Sequence, residues 1–311
     1  MQALRNPTTR LYASYAFDWI FCVIILILFF LLDRAEPFHR QFSVENTAIM
    51  FPMKAKDTIP VWALVLIAVV FPVLMIAVVA VGVRRSIYDF HNGILGLLLS
   101  ILLTTIFTQV MKVTVGKDRP DFLDRCQPMQ NGAPILHDVP LQLWSVDVCS
   151  QTNKAILKDG MRSFPSGHAS TAFAGLFFLS LWMGGKMHVF DRRGYSLKSV
   201  ILIVPILAAL LVAISRIEDY RHSAIDVTWG SIIGIFFAIF AYLQYYPSLF
   251  SKASHIPHPP RDFSYLTRNS DGRSNEPGCL ENATGIRPNH EFVDETRPYL
   301  HDQAQEQPLQ Q

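Results

Sequence analysis

The sequence predicts an all-α protein, a polytopic membrane helical bundle with six transmembrane helices. Three observations carry that reading. Half of the 311 residues are hydrophobic and the mean hydropathy is +0.26, more apolar than most soluble domains of this length. The apolar residues are gathered into blocks at roughly 14–32, 61–83, 93–111, 167–185, 199–214 and 226–245, each approaching the ~20 residues a helix needs to cross ~30 Å of hydrocarbon. The block Val61–Val83 contains no charged residue and is flanked by Lys54, Lys56, Arg84 and Arg85, which disfavours six core helices of a soluble protein. Lipid offers backbone amides no partner, so each block is expected to be helical.

The first block has Asp18 near its start and a short continuous apolar stretch, Trp19–Leu32. It resembles the apolar region of a signal peptide, but Asp33-Arg34-Ala35-Glu36 follows, without a small-x-small cleavage pattern, so an uncleaved helix is expected. Cations in short loops set the orientation. Arg5 and Arg10 precede the first block, Arg84 and Arg85 follow the second, and Lys186, Arg192, Arg193 and Lys198 separate the fourth from the fifth. That side is read as cytosolic, with both termini. Loops 33–60, 113–165 and 215–225 then face the lumen or exterior of an endomembrane (vacuole, Golgi or ER) or the plasma membrane. Cys126 and Cys149 share loop 113–165, where the redox environment would allow a disulfide, whereas Cys22 lies in a helix and Cys279 near the C-terminus.

The chain divides into an N-terminal segment with the first span (1–59), a five-span core (60–248) and a tail (249–311). Seven prolines from Pro257 to Pro308 interrupt the polar tail, which reads as disordered and cytosolic. The sequon Asn282-Ala283-Thr284 would therefore be unused. A net charge of +2 excludes nucleic-acid binding by a basic surface.

Three clusters lie at block ends that the loop charges place on one side. Phe164-Pro165-Ser166-Gly167-His168 opens the fourth block. Pro165 suits a first turn and Ser166 a helix cap, the free amides there bind anions, and Gly167 allows close approach. His168 would then stand beside the anion. Ser215-Arg216…His222…Asp226 joins the last two blocks. His222 and Asp226 would share a helix face, with Asp226 accepting from one imidazole nitrogen and leaving the other free to attack. Arg216, expected before that helix, could fold back over the pocket, while Glu218, Asp219 and Arg221 read as a solvated loop. Lys112 and Arg119 follow the third block. Arginine grips phosphate in a bidentate fork and lysine adds a point charge. Taken alone, Lys112 and Lys117 could merely snorkel at a helix end. A divalent ion at His222 and Asp226 would be repelled by three cations, so no metal is expected.

Lys112-x6-Arg119-Pro120, Pro165-Ser166-Gly167-His168 and Ser215-Arg216-x5-His222-x3-Asp226 resemble, in order and spacing, the three signatures of the type 2 phosphatidic acid phosphatase superfamily. That group includes lipid phosphate phosphatases and, more distantly, vanadium haloperoxidases. Flanking residues such as Asp121-Phe122-Leu123-Asp124-Arg125-Cys126 are similar to fungal and plant members that act on diacylglycerol pyrophosphate and phosphatidate. The resemblance covers roughly residues 60–245 and departs at Ser223, where many members carry a second histidine. It implies a four-helix catalytic core and a phosphohistidine formed on His222, with Asp226 orienting that imidazole. His168 would protonate the leaving oxygen, and Lys112, Arg119, Ser166, Gly167 and Arg216 would hold phosphoryl oxygens. Neither magnesium nor any other cofactor is implied. The implied partners are a lipid phosphate substrate and membrane lipids. Alternatives are a polyprenyl-diphosphate phosphatase or lipid-head transferase on the same scaffold, and a non-catalytic phosphate-binding membrane protein.

Overall fold

The computed structural model describes residues 7–261 except 141, 192 and 260, with side chains from Ser14 onward. The sequon, Cys279 and most of the expected tail lie outside the described residues. Six long helices form the frame: α1 (Pro7–Arg34), α2 (Val61–Val83), α3 (Ile87–Val115), then α6 (Gly167–Lys186), α7 (Ser196–Glu218) and α8 (Ala224–Tyr245). Between α3 and α6 lie two short helices, α4 (Phe122–Cys126) and α5 (Lys154–Gly160), and a two-stranded hairpin, Met129–Gln130 with Ala133–Pro134. Among the described residues, five helices are long and apolar enough to cross a membrane: α1 from Ser14, α2, α3, α7 and α8. The mostly helical, multi-pass expectation therefore holds. The sixth predicted block is also helical, as α6, but falls short of the apolarity of those five.

The reason lies in what α6 touches. Thirteen of its twenty residues are buried, Trp182, Phe178 and Leu179 among them, with small residues at Ala169, Ala172, Ala174 and Gly175. It packs against α2, α3, α7 and α8, so small and hydroxylic side chains replace the lipid-facing Leu and Ile of its neighbours. In contrast, Phe17 on α1, Leu211 on α7 and Phe236 on α8 are 72%, 66% and 60% exposed. A face of that kind suits lipid rather than water.

Two close approaches fix the helices around α6. Pro72 has no amide, and its ring displaces the carbonyl four residues earlier, Ala68. Here α2 widens locally, with the Phe71 amide bonding to the Leu66 carbonyl. The displaced Ala68 carbonyl points at Gly175, where any Cβ would sit 1.9 Å from it. On α8, Gly230 and Gly234 lie against α6: added Cβ atoms would meet the carbonyls of Ser166 and Ser170 at 2.5 and 2.4 Å. Such small-xxx-small spacing lets two backbones touch without hydrophobic driving force between helices. The Ser166 amide donates to the Asp226 carbonyl at 2.9 Å, so the N-termini of α6 and α8 are stitched together.

Loops 35–60 and 116–165 cap this end. Phe42, Val44, Ile49, Phe122, Trp144 and Met161 form a small separate core there. Cys126 and Cys149, which the sequence left open, are joined in a disulfide. At the other end, residues 249–259 begin the stretch that composition assigns to the tail, yet part of it packs on the bundle. Ser254 is buried, and the His255 carbonyl accepts from Lys186 at 2.8 Å.

Candidate active site

Lys112 lies in the last turn of α3, and its Nζ is 3.3 Å from where a Cβ on Gly167 would be. A side chain at Gly167 would crowd the ammonium, so glycine keeps the cation beside the amides that open α6. Ser166 caps those amides, its Oγ accepting from Ala169 N at 3.5 Å. Its hydroxyl is therefore directed at the helix start. His168, one residue into α6, has Nε2 3.1 Å from the Ile59 carbonyl. Arg119 is buried and reaches Asp159 through Nη2 at 2.7 Å, while its Nε has no partner among the described residues. Burial lowers the Arg119 pKa and Asp159 partly restores it.

Arg216 stands in the last turn of α7, not in a free loop as expected. It is 1% exposed and bonds Asp219 at 2.6 Å, with Asp57 3.4 Å from its other terminal nitrogen. Its carbonyl accepts from the His222 amide at 3.2 Å, setting the turn that delivers the imidazole. His222 is buried, and its Nδ1 lies 2.7 Å from the Ser163 carbonyl. A carbonyl can only accept, so Nδ1 carries the proton and Nε2 keeps its lone pair. Burial, reinforced by the positive charges of Arg119 and Lys112, holds this imidazole well below its ordinary 6.5. His222 is thus neutral and oriented at neutral pH, within electrostatic reach of Lys112, Arg119 and His168.

The expected contact between His222 and Asp226 is corrected. The helix begins at Ala224 with Ser223 as its cap, so His222 precedes α8 and does not share a helical face with Asp226. The carboxylate is used otherwise. Its Oδ2 accepts from the Ser223 amide at 2.9 Å, closing a capping box, and from Ser163 Oγ at 2.7 Å; its Oδ1 accepts from Lys117 at 2.7 Å. Asp226 reaches the imidazole through Ser163, whose hydroxyl it holds and whose carbonyl holds His222. The Ser163 amide in turn donates to the Lys117 carbonyl at 2.9 Å.

An alternating chain of charges surrounds this centre. Asp159 joins Arg119 to Arg125, Asp121 joins Arg125 to Arg221, Asp57 joins Arg221 to Arg216, and Asp219 joins Arg216 to Lys54. Burial would raise the Asp159 carboxyl, but Arg119, Arg125 and Lys112 outweigh it and keep it below the usual range. Among the described residues Lys112 has no carboxylate within ion-pair distance. Asp219 and Arg221, read from sequence as solvated, belong to this chain, with Asp219 fully buried; Glu218 is exposed as expected. Ser163, Asp57 and Asp159 carry roles the sequence reading did not assign, and Lys117, read as a cation that could merely snorkel, bonds Asp226. Only Ser223-x-x-Asp226 carried a local signal, that of a capping box. Among the described residues, no group of three His, Cys, Asp or Glu side chains is arranged to hold a metal.

All three clusters therefore meet at one end of the bundle, around a neutral imidazole ringed by cations. The PAP2 superfamily profile matches residues 93–249. The chain is 40% identical over 280 residues to lipid phosphate phosphatase 2 of Arabidopsis thaliana, covering 90% of each protein. It is 34% identical to diacylglycerol pyrophosphate phosphatase 1 of Saccharomyces cerevisiae, covering 76% of this chain and 82% of the relative. It is also 34% identical to the probable diacylglycerol pyrophosphate phosphatase 1 of Schizosaccharomyces pombe, covering 80% of this chain and 87% of that protein. No solved structure matches the chain.

Proposed function

This chain belongs to the PAP2 superfamily, and on that premise we propose that it is an integral membrane lipid phosphate phosphatase hydrolysing phosphatidate, diacylglycerol pyrophosphate or related lipids. The observation that carries the proposal is His222: neutral, with Nδ1 fixed by Ser163 and Nε2 free. His222 Nε2 attacks phosphorus, forming the N–P bond as the P–O bond to the leaving group breaks. His168, entering as the imidazolium with Nε2–H on the Ile59 carbonyl, gives its other ring proton to the departing oxygen, then takes one from the water that attacks the phosphohistidine. Lys112, Arg119, Arg216 and the Gly167 amide hold the phosphoryl oxygens, with Ser166 shaping the helix start that offers them. Donors aimed at a developing oxyanion are commonly worth ~10²–10³ in rate each. Asp226 fixes Ser163 and so the imidazole, and balances the positive phosphoimidazole at second hand.

We read α6 as the sixth span, enclosed by the other five, and α3, α6, α7 and α8 as the four-helix catalytic core. The cationic loops 84–86 and 186–198 favour a cytosolic opposite end. The disulfide Cys126–Cys149 favours an extracytoplasmic site. Residues 1–59 are read as the segment that brings the first span, and 249–311 as a cytosolic tail. Phosphate release from phosphatidate by the purified protein in detergent and chelator tests the reading. Wild type is expected to turn over and His222→Ala to be inactive while still folded; near-normal turnover by that variant would remove His222 from its role. Release only when a lipid alcohol is supplied would instead make the protein a transferase.

A further inference from the structure

The carboxylate of Asp57 sits between two guanidinium groups. Arg221 Nε donates to Oδ1 at 2.9 Å, and Arg216 Nη1 lies 3.4 Å from Oδ2. Paired arginines hold a phosphoryl group in the same manner. Asp57 is not sealed in, for its side chain is 26% exposed. It belongs to segment 53–59, which lies along the site. Lys54 Nζ and both Thr58 groups bond Asp219, the Met53 amide bonds Asp124, and the Ile59 carbonyl meets His168. Arg221 has other supports, Asp121 at 3.4 Å from Nη1 and the Lys54 carbonyl at 3.2 Å from Nη2.

We propose that Arg221 forms a second anion subsite adjoining Arg216, which stands between it and the transferred phosphoryl group: Asp57 occupies the subsite at rest, and the non-transferred phosphoryl group of a lipid diphosphate takes its place. The inference rests on the phosphatase reading and deepens it. Arg119 and Lys112 stand within electrostatic reach of His222, where the transferred phosphoryl group is held, and Lys112 reaches His168 as well. Arg216 and Asp57 stand within electrostatic reach of His168, the acid for the leaving group. The two substrate types differ on that side. A phosphate monoester releases an alcohol, which needs a proton and no cation. A diphosphate releases a second phosphate, whose charge needs a guanidinium. Arg221 has no task in the first reaction and a specific one in the second. It is a specificity-determining residue that the three signatures do not include.

The test compares kcat/KM of full-length wild type and Arg221→Gln on diacylglycerol diphosphate and on phosphatidate, in detergent with chelator. The expected result is a fall of ~10-fold or more for the diphosphate, the scale of one hydrogen-bonded charge pair, and less than ~3-fold for the monoester. Arg221→Lys should fall between wild type and Arg221→Gln. Equal losses on both lipids, or no loss on either, would overturn the subsite. Wild type that hydrolyses neither lipid counts against the phosphatase reading. Direct binding then decides the subsite: Arg221→Gln should weaken inorganic pyrophosphate binding ~10-fold and leave inorganic phosphate nearly unchanged, and equal effects would overturn it. Should Arg221→Gln not fold, Asp57→Asn carries the test. It should tighten pyrophosphate binding several-fold more than phosphate binding, and no such difference would overturn the proposal.

Discussion

The two ends of the helical bundle both bury charge, and they do so differently. At the end opposite the site, Lys186 meets Asp89 at 2.5 Å and the His255 carbonyl at 2.8 Å, with the Trp182 and Tyr246 rings under its ammonium at 4.9 and 4.7 Å. Tyr246 closes the cluster by donating to Asp89 Oδ1 and accepting from Trp182 Nε1. Both charges are nearly inaccessible, 5% and 3% exposed. At the site end Arg125 and Arg216 are as deeply buried, and two of the carboxylates that pair the arginines there, Asp121 and Asp219, are buried too, but two others are partly open: Asp159 on the short helix α5 is 49% exposed and Asp57 is 26% exposed. Buried charge alone therefore does not mark a site. A cation whose counter-ion can be exchanged does, and so does one such as Lys112 that has no carboxylate against it.

Substitutions at the two ends should separate accordingly. Replacing His222 by Ala is expected to give the largest change, a loss of ~10³-fold or more in kcat with little change in thermal stability, since the reaction loses its nucleophile. Replacing Lys186 by Ala should do the reverse. It strands Asp89 in the interior at a cost of about 3–5 kcal/mol, read as a lowered melting temperature with kcat per folded molecule intact. Lost kcat in folded Lys186→Ala would break the comparison by giving that end a part in turnover.

Ser163→Ala should fall between them, lowering kcat ~10- to 100-fold as removal of an outer-shell hydrogen bond does, with KM little changed. Restoration by Ser163→Thr would show that the hydroxyl, rather than bulk, is what Asp226 holds. The pH profile supplies a subtler measure. His222 must be unprotonated to attack, and its pKa lies well below 6.5. Activity in kcat/KM should therefore persist as pH falls through 6.5 and be lost only lower down. An acid limb at or above 6.5 would place His222 in a more solvated setting than the buried one beside Ser163.

The smallest effect concerns Asp118, which burial pushes up to about 7, with Oδ1 buried and without a hydrogen bond. Its folded pKa is above the unfolded value near 4. The stability it contributes is thus full below pH ~4 and declines as pH rises through 7. Asp118→Asn should raise the melting temperature by about 2–4 °C at pH 8.5 and hardly change it at pH 5.

The parts of the site visible in the sequence were those written in local grammar. Pro165-Ser166-Gly167 announces a helix start, Lys112 and Arg216 sit at the ends of apolar blocks, and the six blocks give six helices. The orientation of His222 was misread because spacing four apart was taken for a helical face. Ser223 and Asp226 use the same residues to stop the helix one position short of it. The rest required chain closure. Asp57 meets Arg221 across 164 residues, Ser163 meets His222 across 59, and Ile59 meets His168 across 109. No periodicity records such pairings, and a charged residue bound for one of them looks identical to a solvated one.

The enclosure of α6 has a consequence for how the protein is made. A helix with so many small and hydroxylic side chains, and a histidine in its first turn, partitions weakly into a bilayer when it arrives from the ribosome by itself. Its affinity is for Gly230, Gly234 and the displaced carbonyl of Ala68, and α8 is synthesised later. Stable residence of α6 must therefore await the last helix, so a chain truncated before residue 224 should leave its own centre unsettled and open to quality control.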